Sequence, residues 1–305
     1  MTEDIGALAE EIRALVRERD AVVFAHNYQR PEVQDIADVV GDSLELARRA
    51  AASDASVIVL AGVRFMAETA VILAPEKTVL LPRLDAGCPM ADMITAPQLA
   101  AWKAGHPGVP VVMYVNSSAE VKALTDVCCT SANAVEVVRS LGVPRVLFGP
   151  DRNLGRWIGS QLPDVEMVLW DGYCPVHDVV DFERVAEARD AHPDALVIAH
   201  PECLPAVTAA ADAVLSTSQM LRFAAASDAQ EFIVVTEEGL LHALQKAAPG
   251  KRFYPLTPSM VCPNMKRTRL TDVRDALLDD ARAVTVPDDI AAAARGSLER
   301  MTAIG

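Results

Sequence analysis

Cys88, Cys174 and Cys262 stand 86 and 88 residues apart, each followed at once by proline and each lying shortly after an apolar, strand-like run. This spacing constrains the chain more than any other feature, because self-similarity at a fixed period marks repeated structural units. It predicts three segments of nearly equal length, each closing on a cysteine: residues 1–87, 88–173 and 174–262, with the tail 263–305 packing back on the first.

Within each segment the hydrophobic pattern alternates between helical and strand periods. In the first, Ile5, Leu8, Ile12, Leu15 and Val16 mark a helix over 5–19, followed by a strand at 22–24. A helix is expected at 35–40 and another at 44–50, then a strand at 57–60, a helix at 65–72 and a strand at 78–81. The second segment reads as helices at 97–104, from 119, and at 134–141, with strands at 111–115, 127–129, 145–148 and 166–170. The stretch Gly149-Pro-Asp-Arg-Asn-Leu-Gly155 reads as a strand end without a helix. In the third, a helix at 180–191 precedes strands at 195–199, 213–215, 231–235 and from 253, with helices between them, and a helical tail covers 271–301. Strands that alternate with helices imply parallel sheets with helices on both faces, an α/β fold. The composition agrees, since the chain is 51% hydrophobic but only 5% aromatic, so its interior is built from Ala, Val, Leu and Ile.

In such sheets ligands bind beyond the carboxyl ends of the strands. Those ends carry His26, Tyr28, Tyr114, Asn116, Ser131, His200, Glu202, Ser216, Thr217 and all three cysteines. A lone buried cysteine behaves as a small hydrophobe, but three at matching points of a repeat point to one ligand set. Structural zinc wants a fourth Cys or His at short spacing, and the sequence has no Cys-x-x-Cys pair. Electron-transfer clusters take four thiolates. Three therefore suit an iron-sulfur cluster with one open iron acting as a Lewis acid. Cys128, Cys129 and Cys203 fall outside the repeat and read as packing residues, and His106, His192 and His242 as solvent-facing. His200 and Glu202 could pair an imidazole with a carboxylate for proton transfer. Ser43, Ser131 and Thr217 each precede a helix, where a hydroxyl serves both as cap and as anion ligand.

The formal charge of −14, without a block of Lys or Arg, argues against nucleic acid as a partner. The acidic start Met1-Thr-Glu-Asp-Ile5 lacks the basic and apolar regions of a secretory signal, and no apolar run approaches the roughly 20 residues of a membrane span. The expectation is a soluble, cytoplasmic protein.

Several stretches taken together resemble the quinolinate synthase (NadA) family: Ala25-His-Asn-Tyr-Gln29, Gly41-Asp-Ser-Leu-Glu-Leu-Ala47, Gly87-Cys-Pro-Met-Ala-Asp92, Tyr114-Val-Asn116, Thr130-Ser-Ala-Asn133, His200-Pro-Glu-Cys203, Ser216-Thr-Ser-Gln-Met220, Thr236-Glu-Glu-Gly-Leu240 and Cys262-Pro-Asn-Met-Lys266. The match is to the family's short form. It implies three pseudo-threefold related αβα sandwich domains around a central active site. It also implies condensation of iminosuccinate (iminoaspartate) with dihydroxyacetone phosphate to quinolinate, phosphate and water in NAD synthesis, linked to the enzyme that oxidises L-aspartate. A [4Fe-4S] cluster would sit on Cys88, Cys174 and Cys262 with one open iron. The resemblance further implies diacid binding by His26, Ser43, Tyr114, Asn116, Ser131, His200 and Thr217, proton transfer by Tyr28 and Glu202, and His177 near the cluster. The competing expectation is a cluster-bearing diacid sensor or electron carrier without turnover.

Overall fold

The computed structural model describes residues 5–305. Its first unit runs α1 (Ile5–Glu18), β1 (Ala21–His26), α2 (Pro31–Ile36), β2 (Val39–Gly41), α3 (Ser43–Ala52), β3 (Val57–Ala61), α4 (Arg64–Leu73) and β4 (Thr78–Leu80). The second runs α5 (Ala96–Ala104), β5 (Val111–Tyr114), α6 (Ala119–Ala123), β6 (Val127–Cys129), α7 (Ala134–Ser140), β7 (Arg145–Gly149), α8 (Arg152–Gln161) and β8 (Glu166–Leu169). The third runs α9 (Phe182–Ala191), β9 (Leu196–Ala199), α10 (Pro205–Ala210), β10 (Ala213–Val214), α11 (Thr217–Ala226), β11 (Glu231–Val235), α12 (Leu240–Ala247) and β12 (Arg252–Pro255). The tail forms α13 (Leu270–Leu278) and α14 (Asp288–Ala303).

Each unit holds one four-stranded, all-parallel sheet, in the orders β2-β1-β3-β4, β6-β5-β7-β8 and β10-β9-β11-β12. The topology is one pattern used three times, as the cysteine period implies. The repeat reaches single hydrogen bonds. Asp38 accepts from Val23 N at 2.7 Å, Asp126 from Val111 N at 2.8 Å and Asp212 from Val197 N at 2.7 Å, each pair 15 residues apart. The carboxylate just before the second strand of a unit thus fixes the start of the first.

Two expected elements differ. The helix expected at 35–40 is instead the end of α2 and the strand β2. Val39 and Val40 are β-branched, and pairing with β1 (Phe24 opposite Val39) gives them a ladder that helical spacing did not reveal. The stretch 149–155 opens a full helix, α8, because the Asp151 side chain caps the N–H groups of Asn153 and Leu154.

The central strands are buried on both faces; all five residues of β3 and all four of β5 are enclosed. One apolar core joins the inner faces of the first two sheets and takes in Leu298 and Met301 of α14. Accordingly α13 lies on α1, whereas α14 lies on α6 and β6 of the second unit as well as on α4 of the first. Among the described residues no helix is long and apolar enough to cross a membrane.

Candidate active site

The carboxyl ends of the three sheets converge on one chamber, and each unit delivers residues at the same stations. The first strands end in pairs two residues apart, His26 with Tyr28, Tyr114 with Asn116, and His200 with Glu202. The second strands lead to Ser43, Ser131 and Thr217, and the loops beyond the fourth strands bring Cys88, Cys174 and Cys262, with His177 one turn after Cys174. All thirteen of these side chains line the chamber. It encloses about 150 Å³, where one water needs about 10–15 Å³ by the same kind of measure.

Glu202, 4% exposed, is the hub. Its Oε1 accepts from the Tyr114 hydroxyl at 2.6 Å and its Oε2 from His177 Nδ1 at 2.8 Å, with His200 Nδ1 3.8 Å away. Burial alone would raise this carboxyl, but His200 and His177, with the hydrogen bonds from His177 and Tyr114, outweigh it and hold the group below the usual carboxylate range. Burial pushes His200 down to about 3 and His26 down to about 4, so both rings are neutral near pH 7. Burial, with the Glu202 charge, pushes the Tyr28 and Tyr114 phenols well up.

A chain of hydrogen bonds leaves the hub. His177 Nε2 lies 2.9 Å from Thr236 Oγ1, which lies 2.6 Å from the Tyr28 hydroxyl. An ionised carboxylate only accepts, so Nδ1 carries a proton and donates to Glu202, and the Thr236 hydroxyl, able to donate and accept at once, links Nε2 to the Tyr28 hydroxyl. The same Nδ1 is 3.2 Å from Cys174 Sγ, so its N–H is shared, with the nearer carboxylate the stronger acceptor. Thr236 was not among the expected site residues. Its signal was positional: it directly follows β11, in the Thr-Glu-Glu-Gly stretch.

The three cysteines share a local design. Each begins a Cys-Pro-x-x turn whose main-chain N–H groups reach back to its sulfur: those of Met90 and Ala91 for Cys88, Val176 for Cys174, and Asn264 and Met265 for Cys262. None is in a disulfide. Burial pushes Cys88 up to about 12 and raises the other two, so the bare thiols are protonated. A metal centre would reverse that by stabilising thiolates. Three sulfurs lining one chamber, each already receiving main-chain N–H groups, fit an iron-sulfur cluster, whose properties such hydrogen bonds tune. A second donor set overlaps it, since ligand atoms of Cys174, His177 and Glu202 lie within 4.8 Å of one another and could hold a metal ion.

Asn116, which also lines the chamber, has a buried Oδ1 with no partner among the described residues, an acceptor left for a ligand's N–H or O–H. Cys128, Cys129 and Cys203 are buried away from the chamber, as packing residues should be. The three remaining histidines are half-buried rather than solvent-facing. His106 bonds Trp102 O, His192 stacks on Tyr254 and His242 pairs with Asp35, because each sits at a helix end or face where a neighbour covers one side of the ring.

The family profile described as Quinolinate synthetase A protein matches residues 10–303 of this chain. A quinolinate synthase of Methanoregula boonei is 54% identical over 302 residues, spanning 99% of this chain and 100% of the other. One from Geobacter metallireducens is 55% identical over 297 residues (97% of each chain), and one from Thermodesulfovibrio yellowstonii 50% identical over 297 residues (97% and 98%).

Proposed function

This chain belongs to the Quinolinate synthetase A protein family, and from that premise we propose that its chamber makes quinolinate for NAD synthesis, condensing iminosuccinate with dihydroxyacetone phosphate and releasing phosphate and water. The observation that carries the reading is the meeting of three thiols and the Glu202 hydrogen-bond chain in one enclosed space. Units bounded at 1–87, 88–173 and 174–262 would each end at one of the three cysteines, Cys88, Cys174 and Cys262. The working compartment is a reducing cytoplasm, with iminosuccinate coming from oxidation of L-aspartate.

Both substrates are anions, and the chain is itself acidic, so recognition must be local. The N-terminus of α11 opens onto the chamber beside Thr217, where the N–H end of a helix favours carboxylate or phosphate, whereas Ser43 offers its hydroxyl at the start of α3, whose Leu44 and Glu45 N–H groups are taken by Asp42. His26 and Ser131 complete that polar wall, and Tyr114 and Asn116 orient the diacid. Joining the two skeletons and closing the ring requires protons to leave carbon and nitrogen and to reach departing oxygen. Glu202, ionised, is the acceptor, and Tyr28 is the donor at the other end of the Thr236–His177 chain. His200, neutral, accepts from Glu202 N at 3.3 Å and helps hold that residue in place. Cys88, Cys174 and Cys262 would hold the [4Fe-4S] cluster, which supplies an open Lewis-acidic iron for dehydration.

A sensor or carrier would have no use for the donor chain that links Tyr28 to Glu202. A mononuclear metal on Cys174, His177 and Glu202 is the second reading, favoured by their mutual proximity. Cys174→Ala, purified and reconstituted without oxygen, is expected to lose the brown chromophore, the bound sulfide and quinolinate formation together. Full turnover by a colourless variant would remove the cluster; zinc without sulfide in the unmutated protein would favour the mononuclear centre.

A further inference from the structure

We propose that Asp151 and Glu237 are positioning residues that hold the main-chain amides of Cys174 and Cys262, aiming two of the three sulfurs before any metal arrives. The proposal builds on reading the three thiols as one ligand set. Both carboxyl groups are completely buried and stand two residues beyond the third strand of their unit, Asp151 after β7 and Glu237 after β11. Asp151 Oδ1 takes the N–H groups of Asn153 and Leu154, at 2.8 Å each, which satisfies the cap of α8. Its second oxygen is surplus to capping and accepts from Cys174 N at 3.1 Å. Glu237 Oε1 accepts from Cys262 N at 3.0 Å and Oε2 from Gly239 N at 2.7 Å. Lys266 Nζ lies 2.9 Å from Glu237 Oε1 and also donates to Tyr28 O at 2.7 Å, so this pin is tied to the first unit as well.

The equivalent position in the first unit, two residues beyond β3, is Val63, which offers no acceptor. There Arg64 N donates to Ala86 O at 2.9 Å, and the side-chain ties fall on Pro82 and Asp85 rather than on the cysteine's amide. The three cysteines are therefore unequal. Proline after each cysteine already restricts its ψ. Fixing the amide on the other side leaves Cys174 and Cys262 little freedom beyond χ1, whereas Cys88 keeps a looser backbone. A buried carboxyl is costly unless its hydrogen bonds are made, and here both are completed by a ligand's own amide.

The test uses metal-free protein, so it does not depend on the cluster. Each cysteine's alkylation by iodoacetamide is followed by mass spectrometry, and rates per thiolate are taken from their pH dependence, so that a change of charge alone leaves them unmoved. Asp151→Ser keeps a capping oxygen for α8 but withdraws the pin. It is expected to raise the Cys174 rate roughly tenfold, the scale of one lost hydrogen bond, with Cys88 and Cys262 unchanged. Glu237→Ala should do the same at Cys262 alone. Folded variants with unchanged rates, or with equal rises at all three sites, would overturn the proposal; if Glu237→Ala does not fold, Asp151→Ser decides. After reconstitution, both variants should lose iron to a chelator faster than the unmutated chain. Absence of iron and sulfide in the unmutated chain would count against the cluster while leaving the alkylation result to stand.

Discussion

Tyr114, His177 and His200 all converge on the Glu202 carboxylate, and their combined pull outweighs a burial that should have neutralised it. Glu202→Gln removes the charge with almost no change of shape. Turnover should fall by about 10²–10⁴, the usual scale of a lost general base, while iron and sulfide content stays at the unmutated level. Loss of metal in this variant would instead make Glu202 a ligand. His26 gives a prediction for stability. Burial pushes it down to about 4 from the ordinary 6.5 of a free imidazole, so the unfolded chain binds the extra proton. Stability should therefore fall as pH drops from about 6.5 toward 4, by up to about 3 kcal/mol from this one ring. Urea unfolding of metal-free protein across that range, compared with His26→Asn, should show a flatter profile in the variant. At this scale the sequence was informative about which residues face the chamber, since the end of a parallel strand is a place as well as a pattern. It marked Thr236 only as the residue after a strand; the role itself exists through partners at positions 28 and 177.

The clearest element-level contact is between the start of α12 and the loop after β1. A Cβ added at Gly239 would lie 2.7 Å from Tyr28 O and 2.6 Å from Lys266 Nζ. The backbone cannot yield without moving Tyr28, so Gly239→Ala is expected to cost about 1–3 kcal/mol and to slow turnover, as urea unfolding and an initial-rate assay would show. Normal activity at full stability would mean that this approach is not needed. The elements that sequence reasoning missed, β2 and α8, share a cause. Each is specified by one side chain acting at short range, Asp38 on Val23 N and Asp151 on its own helix, within stretches whose apolar period is too short to declare a type. The Asp38, Asp126 and Asp212 hydrogen bonds show that the repeat lies in the residues themselves, visible once the period is known.

Over the whole molecule, the core common to the first two sheets closes only when α14 returns from the far end of the chain, burying Leu298 and Met301 completely. Arg48 of α3 and Asn133 beside α7 then hold the last carbonyls, those of Thr302, Ile304 and Gly305 for Arg48 and of Met301 and Ile304 for Asn133. Met301→Ala should cost about 2–5 kcal/mol. The loss should appear in the tryptophan fluorescence transition, although all three tryptophans, Trp102, Trp157 and Trp170, lie in the second unit. An unchanged midpoint would separate the tail from that core. The chain's own order of residues determined the parallel α/β class, the threefold period and the strand ends that bear chemistry, because periodicity, turn residues and caps act over a few neighbours. Tertiary structure alone decided which of those ends meet. Tyr28 with Thr236 spans 208 residues and Tyr114 with Glu202 spans 88, and no local preference encodes such contacts; they follow from three sheets whose carboxyl ends converge on one chamber.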